Sequence, residues 1–393
     1  METWKQMNRK GSSGVDGEST EEFGKNLQQR CESIVDRLQR RQYQAPPVRR
    51  VEIPKGDGKT RPLGIPTVED RLLQRAVARI LEAIYEQEFL PISFGFRPGK
   101  SPHLALRELR NHLMAGRVYW VFETDIRGFF NHLNHRWLMK MLRVKIKDTA
   151  ILRLIGKWLR AGALCDGILV RSEEGSPQGG PISPCLANVY LHYVIDLWFE
   201  KRVKRGCEGT AHLVRFADDF VAGFQRYGEV KRFAMAVKQR LGEFGLEVAE
   251  EKTCLMAFGR STKVRPGEKP SFDFLGFRHF GSTDRRGRFK IVRIPTTKSC
   301  RKFLDNVKGW LDIHRHASRR TQQRNLTMKL RGFFQYFGLT DCCPRLRLIR
   351  YRVVKMWKRA LRQQSQRGGV SWAKMNRLAV FELPFPRTVH PAI

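Results

Sequence analysis

Two adjacent carboxylates, Asp218 and Asp219, follow an aromatic and a small residue in the tetrapeptide Phe216-Ala217-Asp218-Asp219. Apolar residues flank them, Leu213-Val214-Arg215 before and Phe220-Val221-Ala222 after. That alternation predicts two short strands meeting at a tight turn. Two like charges side by side repel, so a turn that presents them needs a neutralising partner. A divalent ion such as Mg²⁺ suits, because it prefers hard oxygen ligands and shares them with substrate phosphates. An acidic β-turn on a solvated surface accounts for the tetrapeptide alone equally well.

A third carboxylate comes from a separate segment. Tyr119–Ile126 reads as a strongly apolar strand ending in Asp125. Nucleotide polymerisation needs two metals held by carboxylates from different segments. One activates a 3′ hydroxyl, and the other holds the triphosphate and stabilises the leaving pyrophosphate. Asp125, Asp218 and Asp219 can supply that set. The triphosphate also needs cations. Lys55 and Arg61, on the two arms of a basic hairpin around Gly56-Asp57-Gly58, suit that role or a general contact with nucleic acid.

The elements that must position these groups follow from patterning. Residues 1–45 are polar and helical, broken by a Gly-rich stretch at 11–17. After the hairpin at 48–65, apolar spacing predicts a helix over 68–90 capped by Thr67. Phe94–Gly99 is a loop, Ser101 starts another helix, and helices follow Asp125 to about residue 160. Ser176–Pro181 turns into a long apolar helix over 182–200, and 228–246 is amphipathic. Residues 246–258 and 272–280 carry strand patterning. The order predicts an α+β layout, with helices on one face of an antiparallel sheet. From about residue 285 Arg and Lys dominate and aromatics recur at helical spacing, which predicts a separate helical domain with one basic face.

Composition narrows the class. The chain has 393 residues, enough for more than one subdomain, and 41% hydrophobic residues, so a packed core is expected. Lys and Arg total 74 against 38 Asp and Glu, a net charge of +36. Such an excess repels itself unless a polyanion is the usual partner, and nucleic acid is the first choice. A membrane is not, since no apolar stretch approaches a bilayer span and no signal-peptide pattern opens the chain. Eight scattered cysteines form no C-x-x-C pair and suit reduced thiols in the cytoplasm.

Seven blocks then occur in a fixed order. They are Lys55–Pro66, Phe94-Gly-Phe-Arg97-Pro, Thr124-Asp125-Ile-Arg-Gly-Phe-Phe130, Gly175-Ser-Pro-Gln178-Gly-Gly-Pro-Ile-Ser-Pro184, Phe216-Ala-Asp-Asp219, Glu251-Lys252-Thr253 and Phe274-Leu-Gly-Phe277. The series resembles the motifs of bacterial group II intron reverse transcriptases. Beyond it, Asn325–Gly338, Arg352–Arg367, Trp372–Leu378 and Leu383–Pro391 resemble their thumb/maturase domain and tail.

The resemblance implies an α+β right-hand polymerase fold, with fingers and an antiparallel-sheet palm, and an all-α thumb/maturase domain. It implies an N-terminal helical segment (1–47), fingers and palm (48–283), a basic helical thumb/maturase domain (284–368) and a tail (369–393). Asp125, Asp218 and Asp219 match the catalytic metal ligands of the family, with Ile126 beside them at the metal and the nucleotide. Lys55 and Arg61 match triphosphate contacts. Phe130 matches the residue against the sugar 2′ position, Gln178 and Phe216 line the nucleotide pocket, and Lys252 stands where a lysine protonates pyrophosphate. Phe274, Leu275 and Gly276 match the primer grip. Plain readings stand beside these: Phe130 as core, Lys252 as a solvated charge at a strand end.

The thumb aromatics read mostly as helix core, which leaves Arg331, Arg352, Lys355, Lys358, Arg359 and Arg362 for the RNA. The family commonly has Tyr at Phe216, and Asp at Asn131 and Asn134; neither change removes an expected ligand. A longer N-terminal segment is usual in the family. No His-Asn-His or C-x-x-C cluster appears, so an endonuclease is not expected. The implied function is RNA-directed DNA synthesis with two Mg²⁺ ions, Mn²⁺ substituting. The implied partners are intron RNA as template and splicing substrate, a DNA primer or target, and deoxynucleoside triphosphates. Homo-oligomerisation stays open. A reverse transcriptase domesticated for repair or phage defence, or a splicing-only maturase, are the alternatives.

Overall fold

The computed structural model describes residues 1–56, 59–115, 117–165, 168–170, 175, 179–259, 270–364, 370–377 and 381–390. Of Lys55 and Arg61 it describes the main chain only. The chain forms two units, Met1–Ala105 with Trp120–Leu255, and Leu106–Tyr119 with Met256–Ile393.

The first unit opens with α1 (Glu2–Lys5), α2 (Thr20–Lys25) and α3 (Leu27–Gln39). Ser19 and Glu22 form a reciprocal capping box on α2, which satisfies two otherwise orphaned N–H groups. The apolar positions Trp4, Phe23 and Ile34 pack on Val68 and Leu72. Strands β1 (Val48–Gly56) and β2 (Lys59–Ile65) make the expected antiparallel hairpin, with Ile53 opposite Arg61. Helix α4 (Val68–Tyr85) starts where Thr67 accepts a hydrogen bond from the Asp70 amide. Helix α5 is Pro102–Met114, and β3 is Trp120–Asp125. Helices α6 (His135–Lys145) and α7 (Thr149–Arg160) are capped by Asn134 and Asp148. Asn134 thus acts as a helix cap, which an Asp would serve equally well.

Short strands β4 (Ala163–Cys165) and β5 (Ile168–Val170) complete a sheet of order β2-β1-β4-β5. Helix α8 (Ser183–Leu191) is buried at every position except Pro184. An apolar run without a polar stripe has to sit inside the core. It continues through two π-helical stretches, His192–Asp196 and Phe199–Val203.

The central sheet has the order β6-β7-β3-β8, with β6 (Ala211–Phe216), β7 (Asp219–Phe224) and β8 (Cys254–Ala257). Strands β6, β7 and β3 are antiparallel neighbours. Helix α9 (Tyr227–Glu243) lies against β3 and β7, with Phe233 edge-on to Phe122. The sequence patterning over 246–258 yields a strand only at 254–257. Glu250–Lys252 turns as a 3₁₀ helix, and Val248 makes a single bridge to Ile126. The three consecutive charged residues have no apolar alternation to carry a ladder.

In the second unit, β9 (Ser271–Phe274), β10 (Phe277–Thr283) and β11 (Phe289–Pro295) form a three-stranded sheet in the order β11-β10-β9. The strand pattern at 272–280 is therefore a hairpin. Leu275 at φ +50° and Gly276 at φ +78° make its two-residue turn. A leucine in left-handed backbone is unusual, so the sequence lacks the Asn-Gly signal of such turns. Helices α10 (Thr297–Ile313), α11 (Arg319–Phe337), α12 (Cys343–Arg362) and α13 (Trp372–Arg377) follow. Leu326, Leu330, Phe334, Phe337, Leu346, Val353 and Trp357 form their buried apolar positions.

Candidate active site

The carboxylates sit on a turn that the backbone does not favour. Phe216 pairs with Asp219 across β6 and β7, which leaves Ala217 and Asp218 as the two turn residues. Ala217 adopts φ +57°. Left-handed backbone costs a non-glycine residue roughly 1–2 kcal/mol, so something must hold it there.

Arg215 supplies the hold. Its side chain has no exposed surface, and Nε and Nη2 grip both oxygens of the equally buried Asp196 at 2.7 and 2.6 Å. Nη1 donates to the Ala217 carbonyl at 3.0 Å and to Asn188 Oδ1 at 3.2 Å, and Nη2 donates to Ser93 Oγ at 2.7 Å. Asn188 in turn donates to the Gly95 carbonyl at 2.7 Å. The segment carrying Ser93 and Gly95 pairs with β6 through the Phe94 amide to the Arg215 carbonyl (2.9 Å) and the Arg215 amide to the Ile92 carbonyl (2.8 Å). Gly95 lies directly against the turn: a Cβ there would stand 2.4 Å from the Ala217 nitrogen. Arg97 anchors this loop, with Nη1 on the Leu90 and Ser93 carbonyls and a fork onto Glu86.

Asp125 faces the turn from β3, opposite Asp219 in the register. The Ile126 amide donates to the Asp218 carbonyl at 3.2 Å, and the Ala249 amide donates to the Asp125 carbonyl at 2.7 Å. The main chain thereby fixes all three carboxylates to one another. Desolvation, then the field of Asp125, pushes the Asp218 and Asp219 carboxyls above the ordinary Asp range. Lys252 forms an ion pair with Asp125 Oδ2 from its 3₁₀ turn. Burial works against its charge, but the bond to Asp125 and the nearby aspartates outweigh it and raise its pKa.

Asp125, Asp218 and Asp219 bring hard carboxylate oxygens together, with the Lys252 ammonium paired to Asp125. That donor set fits a divalent cation of the Mg²⁺ class. Among the described residues no group of three or more His, Cys, Asp or Glu is arranged to hold a metal ion as the side chains stand. Among the described residues the Lys252 ammonium is paired with Asp125 and lies in the field of Asp218 and Asp219.

The remaining predicted residues fall into several places. Ile126 is buried, so only its main chain can serve the site. Phe130 lies in a 3₁₀ turn, half-buried, edge-on to Phe129 with centroids 5.3 Å apart. Gly175 abuts it: a Cβ would stand 3.1 Å from the Phe130 carbonyl. Phe216 is half-buried. Gln178 lies outside the described residues, as do the side chains of Lys55 and Arg61; the main chains of those two occupy β1 and β2.

In the second unit, Phe274, Leu275 and Gly276 form the β9–β10 turn. Tyr336 Oη donates to the Leu275 carbonyl at 2.9 Å, and the Thr296 amide donates to the Gly276 carbonyl at 2.9 Å. Arg331, Arg352, Lys355, Arg359 and Arg362 are exposed, and Lys358 is half-buried with its ammonium 4.2 Å from the Trp372 ring centroid. Trp357, Phe334 and Phe337 are buried, and Trp357 donates to Gln322 Oε1 at 2.7 Å. Among the described residues no helix is long and apolar enough to cross a membrane.

Sequence reasoning missed Arg215, Asp196, Asn188, Ser93 and Gly95 as parts of the site. The one available signal was an arginine at a strand position flanked by apolar residues, which has to find a buried partner.

Residues 53–279 match the family model described as reverse transcriptase (RNA-dependent DNA polymerase). The chain is 33% identical over 326 residues to Protein YkfC of Escherichia coli strain K12, covering 76% of this chain and 84% of that protein. It is 28% identical to the Group II intron-encoded protein LtrA of Lactococcus lactis, covering 82% of this chain and 66% of that one. Among solved structures, apo telomerase from Candida tropicalis superimposes with a TM-score of 0.49 at 15% identity, over 82% of this chain and 58% of that chain.

Proposed function

The chain belongs to the reverse transcriptase (RNA-dependent DNA polymerase) family, in its group II intron type, and from that membership we propose how its own residues perform the reaction. The observation that carries the proposal is the meeting of Asp125, Asp218 and Asp219 on adjacent antiparallel strands, around a turn pinned by Arg215.

Members of the family use divalent metal ions. Asp125, Asp218 and Asp219, with the main chain at Ile126, would hold two Mg²⁺ ions here. When bound, such ions activate the primer 3′ hydroxyl and stabilise the departing pyrophosphate. The 3′ hydroxyl gives up its proton to water and its oxygen bonds to the α-phosphorus of the incoming nucleotide, as the bond from that phosphorus to the oxygen bridging to the β-phosphate breaks and pyrophosphate leaves. Lys55 and Arg61 hold the triphosphate from the hairpin, Gln178 and Phe216 line the nucleotide pocket, and Phe130 packs where a 2′ hydroxyl would stand. Lys252 leaves Asp125 and delivers its proton to the pyrophosphate oxygen. The Phe274-Leu275-Gly276 turn steadies the primer end. Arg331, Arg352, Lys355, Lys358, Arg359 and Arg362 bind phosphates of the intron RNA, which serves as template and as splicing substrate. A DNA primer and deoxynucleoside triphosphates complete the partners.

Primer extension on an RNA template tests the assignment. Asp218→Ala should abolish extension while RNA binding persists, and full extension by that variant would overturn the assignment. Splicing of a flanking intron by the same variant separates maturase function from polymerisation.

A further inference from the structure

Residues 382–390 form a strap tied across α11. At one end Gln323 Nε2 donates to the Glu382 carbonyl at 3.0 Å. At the other, the Val389 amide donates to the Gly338 carbonyl at 2.8 Å, and His390 Nε2 lies 2.9 Å from the Gln335 carbonyl. Between the ties Arg350 bonds the Leu383 carbonyl at 3.1 Å and lies over the Phe385 ring, 3.7 Å from its centroid. Pro384 and Pro386 stiffen the span. Pinned at both ends and stiff in the middle, the strap and the helix border a half-open cavity of about 650 Å³.

The lining has a definite polarity. Gln323, Thr327, Arg331 and Gln335 recur every fourth residue along one face of α11. Arg331 and Arg387 bring two cations to the lining and Glu382 brings one carboxylate, while the Glu382 carbonyl takes the Gln323 amide. Phe385 is 64% exposed, with Arg350 against one face of its ring. A cavity lined by two cations, amides and a hydroxyl along one helix face, an open aromatic face and one acid has the chemistry of one unpaired nucleotide. The phosphate meets the arginines, the base stacks on the ring, and its exocyclic amine faces the acid. The volume lies within the range of about 300–1,000 Å³ usual for small-molecule sites.

We propose that the strap and α11 form a pocket for a single unstacked RNA nucleotide, distinct from the phosphate contacts along α12. This rests on the RNA-binding reading above and gives it a position at which a base is held.

A 12-nucleotide single-stranded RNA carrying 4-thiouridine, irradiated with the full-length protein and mapped by mass spectrometry, tests it. Cross-links are expected in the peptides carrying Phe385 and Gln335. They should fall at least fivefold in Phe385→Ala and in Gln335→Leu, with cross-links elsewhere unchanged. Gln335 is exposed and serves the strap through its carbonyl, so Gln335→Leu should melt like the parent and controls for the Arg350 contact that Phe385→Ala also removes. Cross-links elsewhere but none at this pocket, or pocket cross-links indifferent to both substitutions, would overturn the proposal. An absence of any cross-link in the parent protein would instead overturn the RNA-binding reading itself.

Discussion

Arg215 and Asp196 meet in a two-point ion pair, at 2.7 and 2.6 Å, with neither side chain exposed. The same guanidinium reaches the carbonyl of Ala217, the left-handed residue that precedes Asp218 and Asp219 in the turn. The pair links the π-helical stretch after α8 to the turn that carries Asp218 and Asp219. Asp196→Asn leaves a buried guanidinium half-paired and is expected to cost about 3–5 kcal/mol of stability by denaturant unfolding. Arg215→Lys keeps the charge and loses the fork. It should lower kcat by about tenfold or more, the worth of one lost hydrogen bond of ~1.4 kcal/mol, with KM for the nucleotide little changed. Unchanged kcat in a folded Arg215→Lys protein would reduce the pair to a scaffold role.

Gly95 is the other contact that shapes the turn. A Cβ there would stand 2.4 Å from the Ala217 nitrogen and 3.0 Å from the Phe216 carbonyl carbon, both main-chain atoms that cannot rotate away. Gly95→Ala should displace the aspartates and lower primer extension by about 100-fold, in line with the penalty for a misplacement of ~1 Å. Gly242, near the end of α9, has nothing within 4 Å of its Cβ position. Gly242→Ala should instead stabilise the protein by ~0.5–1 kcal/mol and leave extension intact. Equal rates in the two variants would show that the turn tolerates movement.

The meeting of the three aspartates was legible because its elements are written locally: a strand end, and a hairpin with two acids at its tip. The brace behind them was not. Asp196 lies 19 residues before Arg215, on a helix that slips into π geometry, so no fixed spacing announces the pair. Gly95 reads as an ordinary loop glycine until tertiary packing brings it to the turn. Of the two strand signals after α9, the first was broken by the charged run Glu250-Glu251-Lys252. The second was split by a turn at Leu275 that carries no usual turn residue in its first position. The thumb helices were legible in kind. Which aromatics are buried was a matter of helix face, and the strap over α11 has no periodicity to announce it.

Buried acids set a pH dependence of stability. Asp70, in the first turn of α4, accepts a hydrogen bond from Tyr43 Oη, which also accepts one from Trp158 at 3.1 Å. Burial pushes the Asp70 carboxyl up to about 6. A carboxyl raised above its unfolded value of ~3.9 contributes stability that is fully present below that value and is lost as pH rises through about 6. Asp70→Asn keeps an acceptor for Tyr43 and removes the titration. Relative to the parent it should gain on the order of 2 kcal/mol between pH 4 and pH 7.5, measured by urea unfolding. A difference that stays flat across that range would exclude Asp70 as the titrating group.

Cation binding at the aspartates should show in the folded protein without any turnover. The Asp218 and Asp219 carboxyls, raised by desolvation and by the field of Asp125, take up protons more readily than ordinary aspartates, so protons compete with metal there. Mg²⁺ should therefore raise the melting temperature more at pH 8 than at pH 5.5, and EDTA should reverse the rise. Asp218→Ala should erase it at both pH values. Lys252 holds Asp125 in an ion pair, so Lys252→Gln should bind Mg²⁺ at lower concentration while extending primers more slowly, because the competing cation and the proton donor are the same group. A Lys252→Gln protein with unchanged Mg²⁺ half-saturation would mean that the lysine does not guard the site. One with unchanged rate would mean that the pyrophosphate takes its proton from water.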